Sequence, residues 1–175
     1  QMSAQLKLKD ATIGELKNEL VDVQTKCDDL EQYSRRNSVR VQGIPEQSGE
    51  DPIEKTLEFA NRTLQLNPPL LPSDVDRAHR VGRTPTHGRP RPLLIKFATY
   101  QQRFRVMKGR TLLKGTSMYV NEDLTRARTK LMFEARAAKR EGKVQEYWSS
   151  DGRIYVKVKD EKHHITTYND LRSIL

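Results

Sequence analysis

The chain has 175 residues, of which 35% are apolar, 6% aromatic and 31% charged, and its formal net charge is +9. So low an apolar fraction excludes one deep core along the whole chain, and we expect part of it to be elongated. The longest uncharged stretch, residues 63–73, contains three prolines, which excludes a transmembrane helix of roughly 20 apolar residues. A single cysteine, Cys27, excludes an internal disulfide framework and a cysteine-based zinc site.

Charge divides the chain into two parts. Residues 1–34 carry four lysines and seven acids, a net charge of −3, while the remainder carries 28 basic and 16 acidic residues, a net charge of +12. We therefore place the first domain boundary near residues 33–37. The predicted fold class is α+β, with a helical segment at 1–34, a βαββαβ domain at 35–120 and a small α+β domain at 121–175.

The first segment has the pattern of a coiled coil. Its apolar residues recur at alternating spacings of three and four, interrupted at Lys9, which predicts a left-handed coiled coil. An amphipathic helix packed on the globular part is the alternative, but the narrow apolar stripe favours the coiled coil. The predicted contacts between chains are Leu6, Ile13, Leu16, Leu20, Val23, Cys27 and Leu30.

Two features of this segment stay open. The heptad residues do not decide between two and three strands. Cys27 is interpreted as a small buried apolar residue rather than a reactive thiol. Because the sequence begins within the heptad pattern, we also expect it to be a fragment of a longer protein.

The second segment shows the alternation and capping signals of a βαββαβ domain. Asp51 and Thr99 are predicted to cap its two helices. The second helix is expected to present Tyr100, Phe104 and Met107 as its apolar face. This order is compatible with an antiparallel sheet backed by two helices. The strands are predicted at residues 38–43, 74–81, 93–97 and 117–120.

The loop between the second and third predicted strands lies in a tract of one charge sign. Residues 77–114 hold eleven basic residues and no acidic one, a density that is self-repulsive unless an anionic polymer binds it. Glycine and proline keep part of this tract flexible, so we predict that Arg83, Arg89 and Arg91 form an arm that follows phosphates. A solvated loop without a partner is the alternative.

The third segment begins with a basic helix. We predict that Asn121 caps it, that Leu131 and Ala135 lie on its apolar face, and that Gly142 ends it. Arg126 and Arg128 are among the basic residues on its other faces. A last short helix is predicted to start at Thr167.

A hairpin signal follows this helix. The sequence Ser-Ser-Asp-Gly at 149–152 predicts a tight turn. In the next strand Arg153, Tyr155 and Lys157 share one face. Basic residues interleaved with an aromatic one suit a single-stranded nucleic acid, whose phosphates meet cations while a base stacks on the ring. Any exposed strand can show the same pattern.

Signatures of catalysis are missing from the sequence. It contains no P-loop, no Gly-x-Ser-x-Gly elbow and no His-Glu-x-x-His helix. His163 and His164 are neighbours on a probable strand and point to opposite faces, which is a poor start for a metal site. Glu122 and Asp123 are interpreted as helix-start residues rather than a catalytic pair. We therefore expect no enzymatic activity, no metal and no cofactor.

Four stretches, in their order, carry a resemblance to a known family: residues 30–46, residues 80–85 with 91–97, residues 121–125 and residues 168–171. Together they resemble the RNA-binding protein encoded by the first open reading frame of LINE-type non-LTR retrotransposons. The resemblance spans nearly the whole chain. It implies a coiled coil joined to an RNA-recognition-motif domain and then to a small C-terminal domain.

The resemblance also implies a function. Such a protein is a parallel homotrimer that coats single-stranded RNA with little sequence preference and also binds single-stranded DNA. It acts as a nucleic-acid chaperone and assembles a ribonucleoprotein for retrotransposition, in cytoplasmic particles or in the nucleus. RNA would lie in the cleft between the two globular domains. The matching positions here are Arg35, Arg36, Arg40, Arg83, Arg91, Lys96 and Arg128.

One departure from ordinary RNA-recognition motifs is expected. The predicted open face of the first sheet carries Arg40, Gln42, Leu94 and Lys96 and lacks the aromatic platform of those domains. Phosphate contacts are therefore expected to dominate, and they give affinity without sequence information. Two other functions remain open: an interaction scaffold whose basic domains bind acidic proteins or membrane surfaces, and a duplex-DNA-binding protein.

Overall fold

A computed structural model describes residues 2–83 and 88–175, which form an α+β protein with one long N-terminal helix and two antiparallel sheets. This confirms the predicted fold class and the long helix. The elements are α1 (Met2–Ser34), β1 (Ser38–Gln42), α2 (Pro52–Glu58), β2 (Val75–Arg80), β3 (Leu93–Phe97), α3 (Tyr100–Gly109), β4 (Tyr119–Glu122), α4 (Arg126–Arg140), β5 (Glu146–Ser150), β6 (Arg153–Val158), β7 (Glu161–Ile165) and α5 (Tyr168–Ile174).

Helix α1 leaves its apolar stripe exposed. The apolar side chains of that stripe are between 47% and 70% exposed, and Cys27 is exposed as well. Only near the end of the helix does a side chain become buried, at Gln32, which is 7% exposed. The stripe therefore does not pack on the globular part of the same chain.

The first sheet has the strand order β2-β3-β1-β4, and all its pairs are antiparallel. Alternation along the strands sends one set of side chains into a core with α2 and α3. That set is Val39, Val41, Leu93, Ile95 and Phe97, each at most 1% exposed. The opposite face is open and carries the four predicted side chains, with Tyr119 opposite Gln42 and His79 opposite Leu94.

Two helix starts in this domain follow the sequence signals. The Asp51 carboxylate accepts hydrogen bonds from the N–H groups of Ile53 and Glu54, and the Thr99 hydroxyl accepts one from Gln102. Helix α2 ends at Glu58, and a π-helical turn, Phe59–Thr63, follows it.

The predicted apolar face of α3 is wrong. Tyr100 and Phe104 are 42% and 52% exposed, while Val106 and the charged Arg103 are buried. Met107 packs against the edge of the core. Apolar periodicity failed here because Arg103 forms a buried ion pair, described below, which turns the helix so that the two aromatic rings face outward.

The last strand of the first sheet also differs from the prediction. Strand β4 begins at Tyr119 and extends to Glu122, two residues beyond the expected domain boundary at 120. Asn121 therefore lies in a strand and does not cap a helix. The cap of α4 is Thr125, whose hydroxyl accepts a hydrogen bond from the Arg128 N–H.

The C-terminal domain is a three-stranded sheet, β5-β6-β7, covered on one face by α4 and α5. Its core contains Leu131, Ala135, Ile154, Val156 and Ile165. The predicted turn at Asp151 and Gly152 joins β5 to β6, and both residues have positive φ. Thus the predicted hairpin is confirmed, together with the alternation along β6.

Helix α5 begins with a reciprocal cap between Thr167 and Asp170. The Asp170 carboxylate accepts hydrogen bonds from the hydroxyl and N–H of Thr166 and from the N–H of Thr167. These bonds lower the pKa of Asp170 to about 2 because they stabilise the charged form.

No helix among the described residues is both long enough and apolar enough to cross a membrane.

Gly43 ends β1 at a place where the backbone of another segment approaches closely. Its φ is +88°, and a Cβ there would lie 2.3 Å from the Ser117 carbonyl oxygen. Gly115 has a similar φ of +85° with open space around it. The two positions therefore separate the cost of positive φ from the cost of a backbone clash.

We expect Gly115→Ala to lower the free energy of unfolding by about 1 kcal/mol, the cost of a positive φ for a residue with a Cβ. Gly43→Ala should cost at least about 1 kcal/mol more, because the added methyl group overpacks a backbone contact. Urea unfolding at one protein concentration measures both. Equal losses for the two variants would contradict the close approach.

Candidate nucleic-acid interface

The amide of Gln32 joins the end of α1 to the C-terminal domain. Its Nε2 donates to the Asp123 carbonyl oxygen (3.1 Å), and its Oε1 accepts from the Thr125 N–H (3.0 Å). The side chain also lies against Gly152, where a Cβ would come within 2.5 Å of the Gln32 Cγ. A single buried side chain therefore fixes α1 to the segment before α4 and to the hairpin turn.

The Asp123 carboxylate binds two of the predicted RNA-binding arginines. Arg35 Nη1 donates to both its oxygens at 3.1 Å, and Arg40 Nε donates to Oδ1 at 2.7 Å. Asp123 is 4% exposed, and a buried carboxylate is costly unless it is paired and hydrogen-bonded. These two guanidinium groups therefore neutralise a protein carboxylate.

Arg128, a third predicted site residue, is also engaged. Its Nε donates to Asp28 (2.8 Å) and its Nη2 to Asp29 (2.5 Å), both on α1. Its Nη1 donates to the Gly152 carbonyl (3.1 Å). Arg128 therefore connects α4, α1 and the hairpin turn.

A buried ion pair joins α3 to β4. The Arg103 guanidinium pairs with Glu122, and their side chains are 6% and 3% exposed. Glu122 also accepts from the Gly152 N–H (3.3 Å), and Arg103 Nη1 donates to Asp151 (3.0 Å). The Tyr100 hydroxyl donates to the same Asp151, a bond that raises the pKa of Tyr100 above its ordinary value.

These contacts form one polar network between the domains, which we call the junction. The interpretation of Glu122 and Asp123 as helix-start residues is wrong, because both are buried acceptors that precede α4. The members of the junction are Gln32, Arg35, Arg40, Arg103, Glu122, Asp123 and Arg128.

A cleft of about 930 Å³ lies beside the junction, between the end of α1 and the C-terminal hairpin. It brings together four predicted site residues: Arg35, Arg36, Arg128 and Arg153. Arg36 and Arg153 have no carboxylate partner among the described residues. The Arg36 guanidinium lies 4.0 Å from the centroid of the Tyr33 ring.

The predicted site residues on the first sheet and in its loop lie outside this cleft: Arg40, Arg83, Arg89, Arg91 and Lys96. Arg91 pairs with Glu46, and this hydrogen-bonded pair lowers the pKa of Glu46 and raises that of Arg91. Lys96 lies 3.5 Å from Asp76. Arg83 and Arg89 are exposed. The predicted arm also includes residues 84–87, which lie outside the described residues.

The open face of the C-terminal sheet carries an aromatic row. Trp148, Tyr155 and His164 lie directly opposite one another on the three strands. The ring centroids of Trp148 and Tyr155 are 5.7 Å apart with planes 20° from parallel, and those of Tyr155 and His164 are 5.3 Å apart. Lys162 Nζ lies 3.9 Å from the Tyr155 centroid. Lys157, opposite Lys162, lies near Asp160 (3.1 Å).

Sequence reasoning found only the middle strand of this row. It named Arg153, Tyr155 and Lys157 but missed Trp148 and His164. The Asp-Gly turn contained a usable signal for Trp148, since counting outward from a two-residue hairpin turn pairs residue 148 with 155. The pairing of His164 depends on the second turn, which the sequence did not identify.

The side chains of this region are of types that can contact a nucleic acid. An aromatic row can stack bases, and lysine side chains beside it can contact phosphates. Within residues 2–83 and 88–175, no group of three or more His, Cys, Asp or Glu side chains is arranged to hold a metal ion.

Comparison of the sequence with models of known protein families and with curated proteins gives no match.

Replacing Glu122 by Ala would remove the carboxylate that pairs with the buried Arg103 guanidinium. We expect a loss of about 3 kcal/mol in the free energy of unfolding, because the buried guanidinium keeps only the exposed Asp151 as a charged partner and the Gly152 N–H loses its acceptor. Glu141→Ala is the control, since its pair with Lys143 is exposed on both sides and should matter little. Chemical unfolding followed by circular dichroism measures both, and equal effects would contradict a stabilising role for the buried pair.

Proposed function

We propose that this protein is a homotrimeric, sequence-tolerant single-stranded RNA-binding protein. The observation that carries the proposal is the aromatic row of Trp148, Tyr155 and His164 with Lys162 beside it. Every base has a π-face, so stacking on such a row is tolerant of sequence and contributes about 1–3 kcal/mol per base. A protein that bound only acidic proteins or membranes would have no need of it.

The distribution of charge supports the same proposal. Several exposed cations surround the two globular domains without a carboxylate partner among the described residues, including Arg36 and Arg153 at the cleft. Phosphates along a strand would neutralise them and release counterions, which makes affinity fall with added salt. The cleft lies beside one end of β6, so a strand on the aromatic row can continue into it.

The first domain supports an RNA-recognition-motif assignment by its topology. The four-stranded antiparallel sheet, in the order β2-β3-β1-β4 with α2 and α3 on one face, is compatible with that motif. Its open face carries Tyr119 in place of a row of stacked rings. Under the proposal, the first domain contributes phosphate contacts and the C-terminal sheet contributes base contacts.

The exposed stripe of α1 supports self-association. Six large apolar side chains at coiled-coil contact positions are open to solvent in the single chain, and a parallel coiled coil would bury them. The resemblance to retrotransposon proteins implies that three chains associate. It also implies the role of a nucleic-acid chaperone that packages the element's RNA. Several linked copies on one strand would raise avidity without requiring any tight single contact.

The aromatic row is tested by Trp148→Ala with Tyr155→Ala. We expect the affinity for single-stranded RNA to fall at least about tenfold, since the loss of one stacked base at about 1.4 kcal/mol has that effect. Tyr119→Ala, which removes an exposed ring from the first sheet, is the matched control and should bind normally. Fluorescence anisotropy at fixed salt measures all three. Unchanged binding by the double variant, or wild-type preference for duplex DNA, would overturn the proposal.

Self-association is tested by two leucines of α1 that are both exposed. Leu20 lies in the predicted seam and is 55% exposed, whereas Leu8 lies outside the seam and is 69% exposed. We expect light scattering to give a trimer for the wild type and for Leu8→Asp, and a smaller species for Leu20→Asp, because a buried carboxylate is costly. A monomeric wild type, or equal masses for the two variants, would contradict the coiled coil.

A further inference from the structure

A second basic surface lies on α4. Leu131, Ala135 and Ala138 of this helix are buried in the C-terminal core. Since successive residues are about 100° apart around a helix, the side opposite the core presents another set of side chains, all of them exposed. We use the name outer face for four of these residues, Arg126, Lys130, Phe133 and Arg140, and the exposed Arg136 lies beside them on the same side of the helix.

The outer face and the aromatic row lie on opposite sides of the domain. In β6, Ile154 and Val156 point into the core beneath α4, so Tyr155 between them points away from it. Helix α4 covers the core side of the sheet, and its outer face is turned further from the sheet. The domain therefore has a stacking surface on one side and a basic surface on the other.

The chemistry of the outer face fits a phosphate backbone. Its three cations take part in no ion pair among the described residues. Phe133 lies between them and is 62% exposed, so a base beside the bound phosphates can stack on its ring. Polyanion binding relieves the mutual repulsion of the cations.

A membrane surface suits this face less well. A helix that lies in a bilayer interface needs a broad apolar face, whereas Phe133 is the one large apolar side chain exposed on α4. The positive charge of the outer face favours an anionic partner. The single exposed ring, Phe133, favours a partner that carries bases.

We propose that the outer face of α4 binds a second single strand while the aromatic row holds the first. This inference rests on the proposed RNA-binding function and deepens it. One C-terminal domain then holds two strands on its two sides, which raises the concentration of each strand near the other. Annealing and strand exchange follow from this geometry, with each strand held by contacts that are weak singly.

The test compares three sets of substitutions in the full chain. The outer-face variant is Arg126→Gln, Lys130→Gln and Arg140→Gln, and the row variant is Trp148→Ala with Tyr155→Ala. The charge-matched control removes three exposed cations of α1 that lie outside the predicted seam: Lys7→Gln, Lys17→Gln and Lys26→Gln. Circular dichroism checks that each variant remains folded.

The first readout is the number of short strands bound per chain at saturation, measured with an oligoribonucleotide of about 6 nucleotides, a length within the range of one site. We expect the outer-face variant and the row variant each to bind one strand fewer per chain than wild type. For the strand that remains bound to the aromatic row, the slope of log affinity against log salt should be the same in the outer-face variant as in wild type, because that strand keeps its phosphate contacts.

The second readout is the rate at which two complementary strands anneal. Wild-type protein is expected to speed the annealing of the two strands. We expect the outer-face and row variants to lose this effect and the charge-matched control to keep it. If the outer-face variant binds as many strands per chain and anneals strands as fast as wild type, the inference is overturned. Binding of the oligonucleotide by the wild-type protein would still support the proposed function. Loss of binding to phosphatidylserine vesicles with unchanged RNA stoichiometry would also overturn it and assign the face to membranes. Failure of the wild type to bind the oligonucleotide would instead reject the proposed function itself.

Discussion

The buried carboxylate of Asp123 sets the arrangement of this protein. Asp123 is 4% exposed. Its carboxylate accepts hydrogen bonds from Arg35 at the end of α1 and from Arg40 in the first sheet. Its backbone carbonyl receives the amide of Gln32. Since each of these groups would be costly to bury alone, the long helix, the first sheet and the C-terminal domain are held in a single arrangement around it.

The contacts of the junction change which arginines are expected to bind RNA. Arg35, Arg40 and Arg128 match the resemblance to RNA-binding retrotransposon proteins, but each already has a carboxylate partner. Arg36 and Arg153 have no carboxylate partner in the part of the chain that the structure describes, and both line the cleft beside the junction. The aromatic row lies outside the junction, on a sheet face where Trp148 and Tyr155 are half-buried and His164 is exposed. We therefore propose that bases contact the C-terminal sheet and that phosphates contact the surfaces around the junction.

Local signals predicted local structure well. The extent of α1, the strand β3, the cap at Asp51 and the Asp-Gly turn all follow from short-range preferences, and the structure confirms them. The errors arose where the burial or the role of a residue depends on a partner that is distant in the sequence. Apolar periodicity could not place Arg103 inside, because its burial depends on Glu122, nineteen residues away. The start of α4 was misplaced for the same reason, since Glu122 and Asp123 serve the junction and Thr125 is left as the cap. At the candidate site, alternation found Tyr155, but Trp148 and His164 required knowledge of strand pairing.

The central claim is that bases of a bound strand lie on the C-terminal sheet. Ultraviolet cross-linking of the wild-type protein to uniformly substituted 4-thiouridine RNA, with mass spectrometric mapping of the linked residues, tests it most directly. The account predicts links at Trp148, Tyr155 or His164, with few on the open face of the first sheet. Links concentrated at Tyr119 and its neighbours, with none on β5, β6 or β7, would contradict it.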